Sequence, residues 1–244
     1  MKTLYVTSFN QRLLNATGHK LLESFLDHQR RDKLLCCHDP DVQMPKFYDG
    51  AHADRIPTYN LGKCKILRDW REQFDGVVAR ATSYWNRNAA RWFRKVVSIN
   101  HAAQTTKAHR LVWLDCDCIV KRAIPEGFWR QLFGHSHGKY SVFYLKGPTR
   151  TVEECGFTAY DLRRDGRTFI EHYLARYTSG EFLSDERWDD CFQFQRTRET
   201  HPEILCRDFA GETTGPYGPV FENSPLAEYL DHPKGSHNRM GAVR

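Results

Sequence analysis

Residues 110–120 read RLVWLDCDCIV, a nearly continuous apolar run broken only by two acids one residue apart. The run Leu111-Val112-Trp113-Leu114 suits a strand buried on both faces, as in the middle of a mostly parallel sheet. Carrying two carboxylates at the end of such a strand is costly unless something compensates their charge. In open α/β sheets, ligands bind outside the carboxyl ends of the strands. Asp115 and Asp117 there supply the oxygen ligands of a hard divalent cation, whose other positions substrate phosphates fill. The competing reading makes the two acids caps of the following turn, or partners of Lys121 and Arg122.

Composition narrows the class. With 244 residues, the chain is long enough for one large domain that needs no disulfide or metal staple. Hydrophobic residues make up 40% and charged residues 27%, which suits a soluble globular protein and not a disordered one. No apolar run approaches the roughly 18 residues of a membrane span. At the N-terminus, Asn10, Gln11 and Arg12 interrupt the apolar stretch before a signal-peptide core could form. A cytoplasmic location is the expectation, the host cytoplasm if the source is viral. The net charge of +6 is compatible with an anionic ligand without requiring one. Eight cysteines, none in a C-x-x-C pair, read as reduced thiols. Spacing gives no support to a zinc site built from Cys116 and Cys118 with histidines.

Strand and helix patterns alternate. Residues 2–7, 33–37, 110–120, 141–145 and 157–162 read as strands. Residues 13–25, 66–74, 84–103, 168–177 and 187–195 read as helices. Residues 211–219 (GETTGPYGP) read as a loop, with 211–218 a candidate lid over a ligand. This order predicts an α/β fold.

With these residues in place, 111–120 resembles the D-x-D segment of GT-A fold glycosyltransferases, which holds manganese or magnesium on the diphosphate of a nucleotide sugar. Tyr5-Val6-Thr7-Ser8-Phe9-Asn10, followed by Gly18 and Leu21-Leu22, is similar to the first strand and helix of such enzymes. Trp92-Phe93-Arg94-Lys95-Val96 resembles their basic helix near the donor. Cys155-Gly156-Phe157-Thr158-Ala159-Tyr160-Asp161 resembles the strand shaping the sugar pocket, and Arg187-Trp188-Asp189-Asp190 the acidic motif near the transferred sugar. His232-Pro233-Lys234-Gly235 is similar to the late metal and diphosphate element of glycogenin-like retaining members.

The resemblance implies one Rossmann-like GT-A domain over residues 1–244, with a mostly parallel central sheet flanked by helices. Residues 1–122 would be its nucleotide half and 123–244 its sugar and acceptor half. It implies Asp115, Asp117 and His232 as ligands of Mn2+ or Mg2+. Thr7, Ser8, Asn10, Arg91, Lys95, Lys234 and Gly235 would bind a UDP-sugar. Asp190 or Asp189 would serve the acceptor hydroxyl as base or position the sugar, with Asp190 preferred. The bland readings are a solvated helix face for Lys95, helix-terminal acids for Asp189 and Asp190, and a packed or surface residue for His232. Cys116, Cys118 and Cys155 stand where the family more often has other residues, which leaves the sugar open.

The implied activity is that of a metal-dependent hexosyltransferase. Its acceptor would be a glycan, a small molecule or a hydroxymethylated DNA base, as in phage-type DNA glucosylation. Arg87, Arg91, Arg94 and Lys95, then Arg163, Arg164 and Arg167, then Lys234, Arg239 and Arg244 are the candidate basic patches for DNA. Two other classes compete. A nucleotidyltransferase would use the same carboxylates, but no G-x-G phosphate loop is present. A zinc- or nucleic-acid-binding protein would leave the acid-tipped strand unexplained.

Overall fold

The computed structural model describes residues 1–45, 52–133, 138–148, 150–210 and 220–233. The candidate lid at 211–218, Lys234, Gly235, Arg239 and Arg244 lie outside the described residues. Nine strands are described: β1 (Thr3–Phe9), β2 (Lys33–His38), β3 (Thr58–Asn60), β4 (Arg110–Leu114), β5 (Ile119–Val120), β6 (Val142–Leu145), β7 (Glu154–Asp161), β8 (Cys206–Asp208) and β9 (Leu230–Asp231). The α-helices are α1 (Gln11–Leu13), α2 (His19–His28), α3 (Lys65–Val78), α4 (Tyr84–Arg87), α5 (Ala89–Thr105), α6 (Glu126–Phe133), α7 (Gly166–Thr178) and α8 (Asp190–Thr200). Seven strands form one sheet in the order β3-β2-β1-β4-β7-β6-β8, and β5 pairs with β9 in a separate ribbon. Only β7 runs against the others, pairing antiparallel with both β4 and β6. This is the mostly parallel α/β sheet anticipated from the sequence, with helices on both faces.

Period-2 alternation along β4 divides the core. Leu111 and Trp113 enter the apolar cluster under α3, α5, α7 and α8. Val112 and Leu114 enter the opposite cluster with α2 and α6. Leu111, Val112 and Leu114 are fully buried. Each contributes roughly 1.5–3 kcal/mol, enough to anchor a strand whose end carries charge. On β1, α5 buries Phe93, Val96, Val97 and Ile99 on one side, while Leu21, Leu22 and Phe25 of α2 cover the other.

Several sequence boundaries shift. The strand expected over 110–120 stops at Leu114. Asp115 and Asp117 then form a turn closed by Cys118 N–H to Asp115 C=O at 3.0 Å. Ile119 and Val120 leave the main sheet for the ribbon, because two carboxylates cannot continue a ladder buried on both faces. The helix expected over 84–103 divides at Asn88 into α4 and α5. A π-helical turn, Leu14–Gly18, joins α1 to α2. β3, β8 and β9 are too short to show a period in sequence, and the sequence reading missed α6, which buries Trp129, Leu132 and Phe133 at helical spacing.

Arg110 sits fully buried at the start of β4. Its Nη2 donates to Glu126 Oε2 at 2.6 Å and to the Met1 carbonyl at 2.8 Å, tying α6 and the N-terminus to the sheet. Partial burial pushes the Glu126 carboxyl up, but Arg110 outweighs it and holds the group below its ordinary value. A carboxyl so lowered contributes stability above about pH 4.3, and that contribution fades as pH falls through the folded value. Glu126→Gln should therefore cost about 1–2 kcal/mol at pH 7, discounted for Glu126's partial exposure. In urea titrations across pH, the gap between wild type and variant should close toward pH 3. A pH-independent gap would show that the charge is not the cause.

Candidate functional site

β1 and β4 are neighbours although β2 and β3 lie on the far side of β1, so the chain order reverses between them. Their carboxyl ends open the crevice where α/β sheets bind ligands. Asp115 and Asp117 stand at the end of β4. Asp115 N–H bonds Gly156 C=O of β7 at 2.9 Å, which continues the β4–β7 ladder one step beyond Leu114 and Phe157.

Asp115 shares a face with Trp113, and the Trp113 indole N–H donates to Asp115 Oδ1 at 2.7 Å. That face lies under α5, which supplies Lys95. The Lys95 ammonium contacts Asp115 Oδ1 at 2.9 Å, Asp190 Oδ2 at 2.6 Å and the Cys155 carbonyl at 2.5 Å. Lys95 is 6% exposed and Asp190 4%. Burial alone would pull the Lys95 pKa down; Asp115 and Asp190 more than reverse this and hold it well above the ordinary lysine value. Burial pushes Asp190 up, with Lys95 opposing. The three ammonium protons are thus matched by three oxygens. Lys95 is neither on a solvated helix face nor free to meet a phosphate, because α5 is enclosed by the sheet, α3 and α7 over this stretch.

Asp117 points to the other side. The β5–β9 register pairs Ile119 with Asp231 and Val120 with Leu230, so the next step brings His232 beside the D-x-D turn. His232 Nε2 lies 3.0 Å from Asp117 Oδ1. Burial lowers the imidazole's proton affinity, but Asp117 overcomes this and raises it. Burial likewise pushes Asp117 up, and His232 outweighs it to hold the carboxyl low. One ligand atom from each of Asp115, Asp117 and His232 lies within 4.8 Å of the other two.

His232 can occupy this place because residue 156 is glycine. A Cβ at Gly156 would stand 2.6 Å from His232 Cε1, closer than real Cβ contacts come. Phe221 packs the ring from another side, with centroids 4.7 Å apart. His232 Nδ1 is buried without a hydrogen-bond partner among the described residues. Two carboxylates and an imidazole with a free nitrogen suit Mn2+ or Mg2+ together with substrate oxygens.

The two candidate acids of α8 separate. Asp189 is its N-cap: Oδ1 accepts the Phe192 N–H at 3.3 Å, and the carboxylate is gripped by Arg187 at 2.8 and 3.0 Å. Asp190, one residue on, faces Lys95. Of the other sequence candidates, Thr7 is buried within β1, and Asn10 Oδ1 caps α1 by accepting the Leu13 N–H at 2.9 Å. Ser8 lies at the end of β1, half-buried. Arg91 is exposed, one helical turn before Lys95. Burial, then Asp117 and Asp115, push the Cys116 thiol up to about 12, with Arg91 pulling the other way. All eight cysteines are free thiols.

Sequence reasoning missed Gly156 as the seat of His232. It also missed buried Glu154, which accepts the Gly156 N–H at 3.2 Å and faces Arg150 at 3.2 Å. Only an acid inside an otherwise apolar strand hinted at the latter.

Removing the ammonium would strand the buried Asp190 carboxylate beside that of Asp115, so Lys95→Met should destabilise the protein by about 3–5 kcal/mol in urea unfolding. The pair Lys95→Met/Asp190→Asn should recover part of that loss; no recovery would break the proposed coupling. Gly156→Ala should displace the imidazole, cost about 1–3 kcal/mol, and shift the His232 ring resonances in NMR spectra.

No protein-family model matches the sequence, and no curated protein matches it. Solved structures do. Mouse xyloside xylosyltransferase 1 superposes with a TM-score of 0.51 at 12% identity, covering 86% of each chain. The glycosyltransferase GlyE of Streptococcus pneumoniae gives 0.50 at 12% identity, and this chain covers 45% of that one. The sheet order, the reversed β7 and these superpositions together show that the chain has the GT-A fold of glycosyltransferases.

Proposed function

We propose that the chain is a metal-dependent glycosyltransferase that moves a glycosyl group from a UDP-sugar to a hydroxyl acceptor. The observation that carries this reading is the convergence of Asp115, Asp117 and His232 at the carboxyl edge of a GT-A sheet. The mouse neighbour's name describes transfer of xylose to a xyloside, which supports sugar transfer as the reaction class. Asp115, Asp117 and His232 would hold Mn2+ or Mg2+, the clustering of their ligand atoms and the unpartnered His232 Nδ1 being what favours that ion here. When bound, the ion neutralises charge growing on the departing diphosphate.

The protein's own residues fix the geometry. Trp113 and Lys95 orient Asp115, and Phe221 with Gly156 positions the imidazole. Asp190 is locked by Lys95 through one oxygen, which suits a carboxylate that positions hydroxyls of the transferred sugar more than one that shuttles a proton. Asp189 is assigned to the fold, as the cap of α8.

The test is UDP release from a panel of UDP-sugars with Mn2+ or Mg2+, alongside equilibrium Mn2+ binding measured by electron paramagnetic resonance. Asp117→Asn and His232→Ala should each lower metal affinity and reduce UDP release roughly 100-fold, about 2.7 kcal/mol at the transition state. Release that persists in EDTA would overturn the metal assignment. Pyrophosphate formed from UTP and a sugar phosphate, with no UDP from any UDP-sugar, would make the chain a nucleotidyltransferase.

A further inference from the structure

α4 and the first turn of α5 carry a cluster of large rings that the fold does not bury. Tyr84 is 48% exposed and Trp85 40%, among the few large apolar side chains left on the described surface. Trp92 completes the cluster: its ring centroid lies 6.4 Å from that of Trp85, and its indole N–H bonds the Trp85 carbonyl at 3.1 Å. Guanidinium groups flank the rings. Arg187 stands 4.4 Å over Trp85, Arg91 4.9 Å over Trp92, and Arg87 5.9 Å over Tyr84. Exposed patches of this kind mark binding sites, and Trp, Tyr and Arg dominate binding energy.

This cluster joins both walls of the candidate site. Trp92 and Arg91 lie one helical turn before Lys95 on α5. On the other wall, Arg187 grips the α8 N-cap Asp189, and the Trp188 N–H bonds Asn86 Oδ1 of α4 at 3.1 Å.

Resting on the transferase reading above, we infer that Tyr84, Trp85 and Trp92 form a platform that docks a carbohydrate acceptor chain. The apolar face of a sugar ring packs on an indole, while Arg87 and Arg91, which lie over Tyr84 and Trp92 and form no ion pair among the described residues, donate to its hydroxyls.

The charge distribution disfavours nucleic acid as the occupant. A single-strand track needs a continuous run of unpaired cations beside the aromatics. Here Arg94 pairs with Asp39, Arg163 with Asp161, Arg198 with Glu153 and Arg187 with Asp189. Arg167 is spent on the carbonyls of Ala103 and Thr106.

The experiment is binding of the intact protein to an array of immobilised neutral oligosaccharides and to a single-stranded DNA oligonucleotide, with UDP and Mn2+ affinity of the wild type measured separately. Wild type should retain at least one oligosaccharide class. Trp85→Ala should weaken that binding tenfold or more and Tyr84→Ala/Trp85→Ala abolish it, while Trp85→Phe restores most of it. Circular dichroism checks that each variant is folded; Trp85, being exposed, can be removed without opening a core. Retention of no oligosaccharide, or retention unchanged in the double variant, overturns the platform while leaving the transferase reading intact if UDP and Mn2+ bind. Salt-sensitive capture of DNA in place of oligosaccharide overturns the carbohydrate assignment. Failure of the wild type to bind UDP and Mn2+ removes the transferase reading itself.

Discussion

The buried ammonium of Lys95 is the contact on which the site depends. It lies between Asp115, at the end of the central strand, and Asp190, at the start of the last described α-helix. Without a cation there, two carboxylates would face one another across a low-dielectric gap, where like charges repel most strongly. The same ammonium holds α5, β4, the carbonyl of Cys155 on β7 and α8 at one point. A buried ion pair contributes little net stability compared with apolar packing, but losing one partner is expensive. Its consequence here is positional: two acids far apart in sequence acquire fixed orientations at the open edge of the sheet.

A second constraint acts on the other side of the D-x-D turn. Once Asp115 and Asp117 end the central strand, the chain must leave the sheet, and Ile119–Val120 pairs with Leu230–Asp231. That two-residue ribbon delivers His232 to Asp117, and the missing side chain of Gly156 makes room for the ring. The carboxylate–imidazole pair is therefore a product of strand termination, ribbon register and one glycine acting together.

Part of the chain's positive charge is held in local pairs. Arginines that form runs in sequence are distributed among Asp39, Asp161, Glu153, Asp185 and Asp189. Net charge describes solubility and long-range attraction, but a binding surface needs cations left unpaired. Arg87 and Arg91, over the rings of Tyr84 and Trp92, meet that condition among the described residues.

The alternation of strands and helices, the buried strand RLVWL and the special status of Asp115 and Asp117 were all legible in the sequence. Local periodicity and the cost of burying charge depend only on residues close together in the chain. Resemblance to a family pointed to His232 and Asp190 as well, yet nothing local separated Asp190 from Asp189. That distinction turns on where α8 begins, since the N-cap residue bends back to its own helix while the next residue faces across the crevice. Lys95 read as a diphosphate contact or a solvated helix face, because an amphipathic pattern does not show that a helix is covered on nearly every side. Gly156 drew no notice because its role is to be small beside a residue 76 positions later. Backbone pattern and composition thus determined the fold class and the acids at its edge. Which side chains meet there was decided by tertiary packing, because burial, register and close approach are properties of segments distant in sequence.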